Sequence, residues 1–235
     1  MIDGPRISPA NGGRAKSLVV LLHGYGADGD DLIDIGRHLS PVLPDTAFVS
    51  PHAPDLCGGA PSGRQWFPLS VIDPHRLHAQ VSEAAPVLDS FLDAELEQHD
   101  LTDRDLALVG FSQGTMMALH VALRRTAMPA GVVGFSGLLA GPEHLSGEMR
   151  NTPPVLLVHG EADTVVPAMA TMAAARALGR EGVSVEWHLR PGLRHGIDAT
   201  GLELASTFLA RVLAPVSAAV SVDDDAIAQQ SPSAD

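Results

Sequence analysis

The sequence predicts an α/β fold with one mostly parallel sheet covered by helices on both faces. Short apolar runs alternate with longer segments of helical period nearly throughout the chain, the rhythm of strand–helix–strand units. Most of the apolar runs are continuous rather than alternating in polarity, as in strands buried on both sides. Hydrophobic residues make up 45% of the 235 residues, enough for a sizeable core.

The elements follow in order. "LVVLL", Leu18–Leu22, is the first strong strand, and the glycine-rich "HGYGADGDD" leads from it into a helix over Asp30–Leu39. Thr46–Ser50 is the second strand. Pro51–Pro74 is rich in Pro, Gly and aromatic residues and has no period. A loop of that length in a compact domain points to a flap or a site wall. Arg76–Glu97 is a long helix, with Leu77, Val81, Ala84, Ala85, Leu88, Leu92 and Leu96 at helical spacing. Leu106–Val109 is a strand and Thr115–Arg125 a helix. Gly131–Phe135 and Val155–Val158 are strands, Pro167–Gly179 is a helix, Val183–Leu189 a strand and Gly201–Leu213 the last helix. One domain is expected over 1–215. The stretch 216–235 is polar, acidic and poor in large apolar residues, and reads as a disordered tail.

Composition removes several function classes. The formal net charge is -13, and the largest Lys/Arg cluster is the pair Arg124–Arg125. Nucleic acid and anionic membrane surfaces are therefore not expected as main partners. No apolar run approaches the length of a bilayer span, so no stable membrane insertion is expected. "MIDGPRISPANGGRAK" has no apolar h-region, and Cys57 is the only cysteine. Both fit a cytoplasmic protein without a signal peptide or internal disulfide. Cys57 lies in "DLCGGAPSG" with no helix behind it, and reads as a loop thiol rather than a nucleophile.

The tripeptide "GFS" occurs twice, in "GFSQG" at Gly110–Gly114 and in "GFSGL" at Gly134–Leu138. The first reads strand, G-x-S-x-G, helix. That is a nucleophile elbow: a sharp turn lifts Ser112 above the sheet, and the two glycines let strand and helix approach closely. The helix N-terminus favours negative charge where an oxyanion would form. The second stretch has Leu138 in place of the second glycine, and a loop with Gly141, Pro142 and Gly147 follows. Ser136 therefore reads as a strand end entering a loop.

A serine hydroxyl needs a base, and the base needs an orienting acid. On such a fold they follow in the order Ser, Asp/Glu, His. "VLLVHGEADTVVP" sets Asp163 just beyond a strand's C-terminal end, where α/β sheets hold their ligands. Glu161 is near, but Asp163 starts the turn into the next helix and is preferred. After Asp163 only His188 and His195 remain. His188 lies inside a strand-like run, whereas His195 lies in the turn "PGLRHGID" and is the candidate base. Gly24 and Gly26 let the turn after the first strand aim the Tyr25 amide at the site. The Gln113 amide, just after the nucleophile, is the second expected oxyanion donor. His23 precedes Ser112 in that turn and takes a positional role.

These residues resemble the phospholipase/carboxylesterase family of α/β-hydrolases, which includes the acyl-protein thioesterases. The resemblance runs from about Leu18 to Leu213. It rests on "LLHGYGADGDDL", "GRQWFPL", "GFSQG", "GFSG", "VHGEADTVVP" and "HGI", in that order. It implies an α/β-hydrolase fold, with Ser112 as nucleophile, Asp163 as acid, His195 as base and oxyanion donors at Tyr25 and Gln113. "RQWF" is similar to the bacterial esterase branch, where Trp66 lies beside the acyl site. The family commonly has Gly before the histidine. Here Arg194 stands there, and its guanidinium is expected to face solvent.

The expected activity is hydrolysis of carboxylic esters, with thioesters and lysophospholipids in the same class, through an acyl-enzyme. An acyltransferase on the same triad and a non-catalytic binding module are the competing readings. Leu56, Trp66, Phe67, Leu69, Leu138 and Leu139 are expected to border a small-molecule acyl ester or thioester, although ordinary packing explains each of them equally well. No cofactor or metal is expected. His75 and His78 in "DPHRLH" have metal-like spacing, but the sequence offers no apparent third ligand. Members of the family are often dimers, so a homodimer is among the implied partners, although no stretch identifies an interface.

Overall fold

A computed structural model describes residues 2–58, 63–69 and 74–214. The expected tail, 216–235, lies outside them. The described elements run β1 (Arg6–Ile7), β2 (Ser17–Leu22), α1 (Gly29–Leu39), β3 (Thr46–Val49), β4 (Asp55–Leu56) and β5 (Arg64–Gln65). They continue with α2 (Pro74–His99), β6 (Leu106–Phe111), α3 (Gln113–Arg124), β7 (Gly131–Phe135) and α4 (Leu145–Glu148). The last are β8 (Val155–Gly160), α5 (Met169–Arg180), β9 (Val185–Arg190) and α6 (Ala199–Val212). Seven strands form one sheet in the order β1-β3-β2-β6-β7-β8-β9. All its pairs are parallel except β1 with β3. This is the α/β-hydrolase architecture.

The sheet is covered on both faces. Along β2, Leu18, Val20 and Leu22 join one core with residues of α2, α3 and α5. Val19 and Leu21 join the other with residues of α1 and α6. All of β2 is buried, which is why its sequence shows no alternation. α1 is set by its ends and its apolar face. Asp28 caps it in a reciprocal capping box with Asp31, satisfying amides the first turn leaves open. Leu32, Ile33 and Leu39 bury toward the sheet.

The strand order sets where the site falls. From β2 the chain winds outward to β3, and it then returns past β2 to β6 and continues to β9. The loops after β2 and β6 therefore diverge at the reversal point, where a crevice opens beyond the strands' C-terminal ends. "HGYG" follows β2 and Ser112 follows β6.

The structure departs from the sequence expectation in four places. The antiparallel pair β1–β3 covers two residues on each strand, too short for an apolar run to announce. Within Pro51–Pro74 the chain forms a small hairpin, β4–β5. The segment after β7 contains a short 3₁₀ turn, Pro142–His144, and α4, where a plain loop was expected. The last strand is not doubly covered: β9 is the sheet edge, and Trp187 on it is 45% exposed.

Candidate active site

Ser112 joins β6 to α3 with φ 53° and ψ −113°, a conformation costing about 1–3 kcal/mol for a residue with a side chain. Its surroundings fix it there. The Ser112 amide donates to the Phe135 carbonyl at 2.9 Å, and the Ser112 carbonyl accepts from the Thr115 and Met116 amides. A Cβ on Gly114 would lie 1.9 Å from the Leu22 carbonyl oxygen, and one on Gly110 would lie 2.4 Å from the Thr115 amide nitrogen. α3 can reach the end of β2 only because both positions lack side chains. The Thr115 hydroxyl locks the turn further by donating to the Gly110 or Phe135 carbonyl, at 2.8 and 2.9 Å. Ser112 makes no side-chain capping bond to its helix.

Asp163 and His195 come together across the ends of β8 and β9. His195 Nδ1 lies 2.7 Å from Asp163 Oδ2, and the Asp163 side chain is fully buried. Asp163 Oδ1 accepts from the amides of Val165 and Val166, at 2.8 and 2.9 Å. Burial pushes the Asp163 pKa up, but the bonds from His195, Val166 and Val165 outweigh it and hold the carboxyl below its ordinary range. Glu161 is exposed and so is Arg194, which leaves the guanidinium in solvent as expected. Among the described residues Ser112 Oγ and His195 form no hydrogen bond. The ring of Phe111, next to Ser112, packs 4.9 Å from the His195 ring.

Three residues outside the expected catalytic set support this pair. A Cβ on Gly160 would lie 2.2 Å from the Arg194 carbonyl oxygen, so this glycine lets the histidine loop settle against the end of β8. Ser136 has φ 47°, is fully buried, and donates its hydroxyl to the Gly196 carbonyl at 3.2 Å. It thus holds the residue after His195. His159 is fully buried and lies 3.2 Å from Asp163 Oδ2 through Nε2. That nitrogen also donates to the Val166 carbonyl at 2.9 Å, and Nδ1 is hydrogen-bonded to the Thr171 hydroxyl at 2.7 Å. Asp163 therefore has an imidazole on each side. The histidine in "VHGEAD" is the visible trace of His159. Nothing local marks Ser136, whose partner is 60 residues away.

The other wall is built around His23 and Gln113. The Ala53 amide donates to His23 Nε2 at 2.9 Å, so Nδ1 carries the proton and donates to the Gly24 carbonyl at 2.8 Å. Burial lowers the His23 pKa and keeps the ring neutral. Trp66 Nε1 donates to the His23 carbonyl at 3.0 Å. The Gln113 side chain accepts from the Trp66 amide and donates to the Phe67 carbonyl, at 2.9 and 2.8 Å. Elbow, "HGYG" turn and "RQWF" segment are thus tied into one unit. Gly26 has φ 83°, a turn a side chain would strain, and Tyr25 is partly exposed before it.

The six apolar candidates divide by burial. Trp66 and Phe67 are each 2% exposed, and Leu139 is buried too. Leu69 and Leu138 are half-buried. Leu56 is 62% exposed. Trp66 and Phe67 also line a hollow of about 360 Å³ with Pro54, Gln80 and Val87, and Ser112 is not among its lining residues. Among the described residues no helix is long and apolar enough to cross a membrane.

Residues 5–213 match the profile of the Phospholipase/Carboxylesterase family. The chain is 30% identical over 192 residues to the esterase YpfH of Escherichia coli (strain K12), covering 81% of each. It is 29% identical over 225 residues to the lysophospholipase-like protein 1 of Mus musculus, covering 88% of this chain and 92% of that one. The crystal structure of esterase PE8 superposes with a TM-score of 0.87 at 44% identity, covering 90% of this chain and 99% of that one.

Proposed function

The chain belongs to the phospholipase/carboxylesterase family and is a carboxylic ester hydrolase; we propose that it works through an acyl-enzyme on Ser112, with His195 as base and Asp163 as the acid that orients it. The observation that carries this reading is the 2.7 Å contact between His195 Nδ1 and the buried Asp163 carboxylate. The carboxylate keeps the proton on Nδ1, so Nε2 offers a lone pair.

In the first step Ser112 Oγ bonds to the acyl carbon and its proton passes to His195 Nε2. The carbonyl π pair moves to oxygen, where the amides of Tyr25 and Gln113 stabilise the charge. The tetrahedral intermediate collapses, the bond to the leaving oxygen breaks, and His195 gives that oxygen its proton. Water then repeats the sequence on the acyl-enzyme, releasing the acid and restoring Ser112. Asp163 stays ionised throughout and stabilises the imidazolium. The substrates are small acyl esters, with thioesters and lysophospholipids as further members of the class. Leu56, Leu69 and Leu138 receive the acyl group on their accessible surface, and the buried Trp66, Phe67 and Leu139 back them.

Hydrolysis of p-nitrophenyl esters of increasing chain length, with a thioester and a lysophospholipid beside them, tests this reading. The wild-type chain is expected to turn over at least one series, and Ser112→Ala to lose activity by orders of magnitude. Undiminished hydrolysis by folded Ser112→Ala would overturn it.

A further inference from the structure

α2, α3 and the segment after β7 converge on a cluster of metal-binding side chains apart from the catalytic residues. His78 comes from the start of α2, His120 from α3, His144 from the 3₁₀ turn and Glu148 from α4. One nitrogen of His78, one of His144 and a carboxylate oxygen of Glu148 all lie within 4.8 Å of one another. His78 Nε2 is 3.0 Å from Glu148 Oε2, and His144 Nδ1 is 3.7 Å from Glu148 Oε1. The His78 and His144 rings stack with centroids 3.8 Å apart and planes at 15°.

His120 lies beside this cluster with an unpaired nitrogen. It is 4% exposed, and its ring lies 5.7 Å from that of His78. Its Nδ1 is the one buried side-chain nitrogen or oxygen without a hydrogen-bond partner among the described residues. A buried polar atom left unpaired costs about 1–3 kcal/mol. Arg124 binds Glu148 Oε2 through Nε and Nη2, at 2.9 and 2.7 Å. An ion pair of Arg124 with Glu148 explains the carboxylate alone. It leaves the orphaned His120 nitrogen without a partner.

We propose that His78, His144 and Glu148 bind a divalent transition-metal ion, Zn²⁺ above all, with water completing the coordination and His120 accepting a hydrogen bond from that water. Two imidazoles and a carboxylate are a zinc donor set rather than a magnesium or calcium one. Arg124 keeps the Glu148 carboxylate oriented from outside, as supporting partners of metal ligands do. Coordination through His78 Nε2 replaces its contact to Glu148 and requires the ring proton on Nδ1. The ion would tie α2 to the segment after β7, which already packs on His78 at Gly141, where a Cβ would lie 2.5 Å from the ring. The proposal is independent of the acyl-enzyme reading.

The test uses the full, untagged chain, stripped with a chelator, dialysed and titrated with zinc chloride by calorimetry and thermal unfolding. One ion per chain is expected. At a hundredfold excess over the dissociation constant Tm should rise by about 5 °C or more. His144→Ala and Glu148→Gln should each weaken binding at least about tenfold and remove most of the rise. His144→Ala should leave zinc-free ester hydrolysis unchanged, and the surface control His38→Ala should leave zinc binding unchanged. Failure of the wild-type chain to bind zinc, or binding of undiminished affinity in both cluster variants, would overturn the proposal.

Discussion

Ser112 and Ser136 stand at the ends of neighbouring strands in nearly the same backbone state. Both have positive φ, 53° and 47°. Each amide donates at 2.9 Å to the next strand, Ser112 to the Phe135 carbonyl and Ser136 to the Val158 carbonyl. The difference lies in what each hydroxyl is given to do. Ser136 is fully buried and spends its hydroxyl on the Gly196 carbonyl. Ser112 heads a buried helix, has no capping duty and sits where two glycines admit the neighbouring chain. A strained turn at a strand end is therefore not itself a mark of a nucleophile. A strained turn with an uncommitted hydroxyl and a helix behind it is the stronger sign.

The comparison breaks most sharply at the serines' own chemistry. Ser112→Ala is expected to lower kcat/KM by roughly 10⁴-fold or more, measured on the best p-nitrophenyl ester. Gly114→Ala should follow, because its Cβ would lie 1.9 Å from the Leu22 carbonyl oxygen. Overpacking of this kind costs about 1–3 kcal/mol or more, readable in urea unfolding, and activity should fall with it. His159→Asn removes one of the two imidazoles on Asp163. A loss of about tenfold in kcat with little change in KM is expected, whereas a purely structural His159 would lower stability and leave kcat per folded molecule intact. Ser136→Ala removes one hydrogen bond, about 1 kcal/mol, and should keep most of the activity. A collapse of activity in that variant would reverse the roles given to the two serines.

The smallest effect is in pH. The Asp163 carboxyl is held below its ordinary value of 3.8 in the folded chain. Its contribution to stability is therefore complete above that value and is lost as pH falls through the lower folded value. Asp163→Asn should flatten the acid limb of an unfolding-against-pH curve below about pH 4. An unchanged limb would mean that the carboxylate's bonds contribute nothing in the folded state.

Much of the fold was legible in the sequence because it is written locally. Gly110 and Gly114 declare a close crossing two residues either side of Ser112, and the continuous run in β2 declares burial on both faces. That Asp163 and His195 would meet was legible from their order and placement at strand ends. The rest depends on partners far apart in the chain. Gln113 is read as an amide beside the nucleophile, yet its side chain also ties down Trp66 and Phe67, 47 and 46 residues away. His78 showed metal-like spacing with His75, but the carboxylate it meets is Glu148, 70 residues on. β9 reads as a strand, and its place at the sheet edge follows only from the strand order.

The most direct test is covalent. The folded wild-type chain is incubated with a fluorophosphonate, weighed intact and mapped by peptide mass. One adduct is expected, on Ser112, with Ser136 unmodified. An adduct on Ser136, or none on verified folded protein, would contradict it.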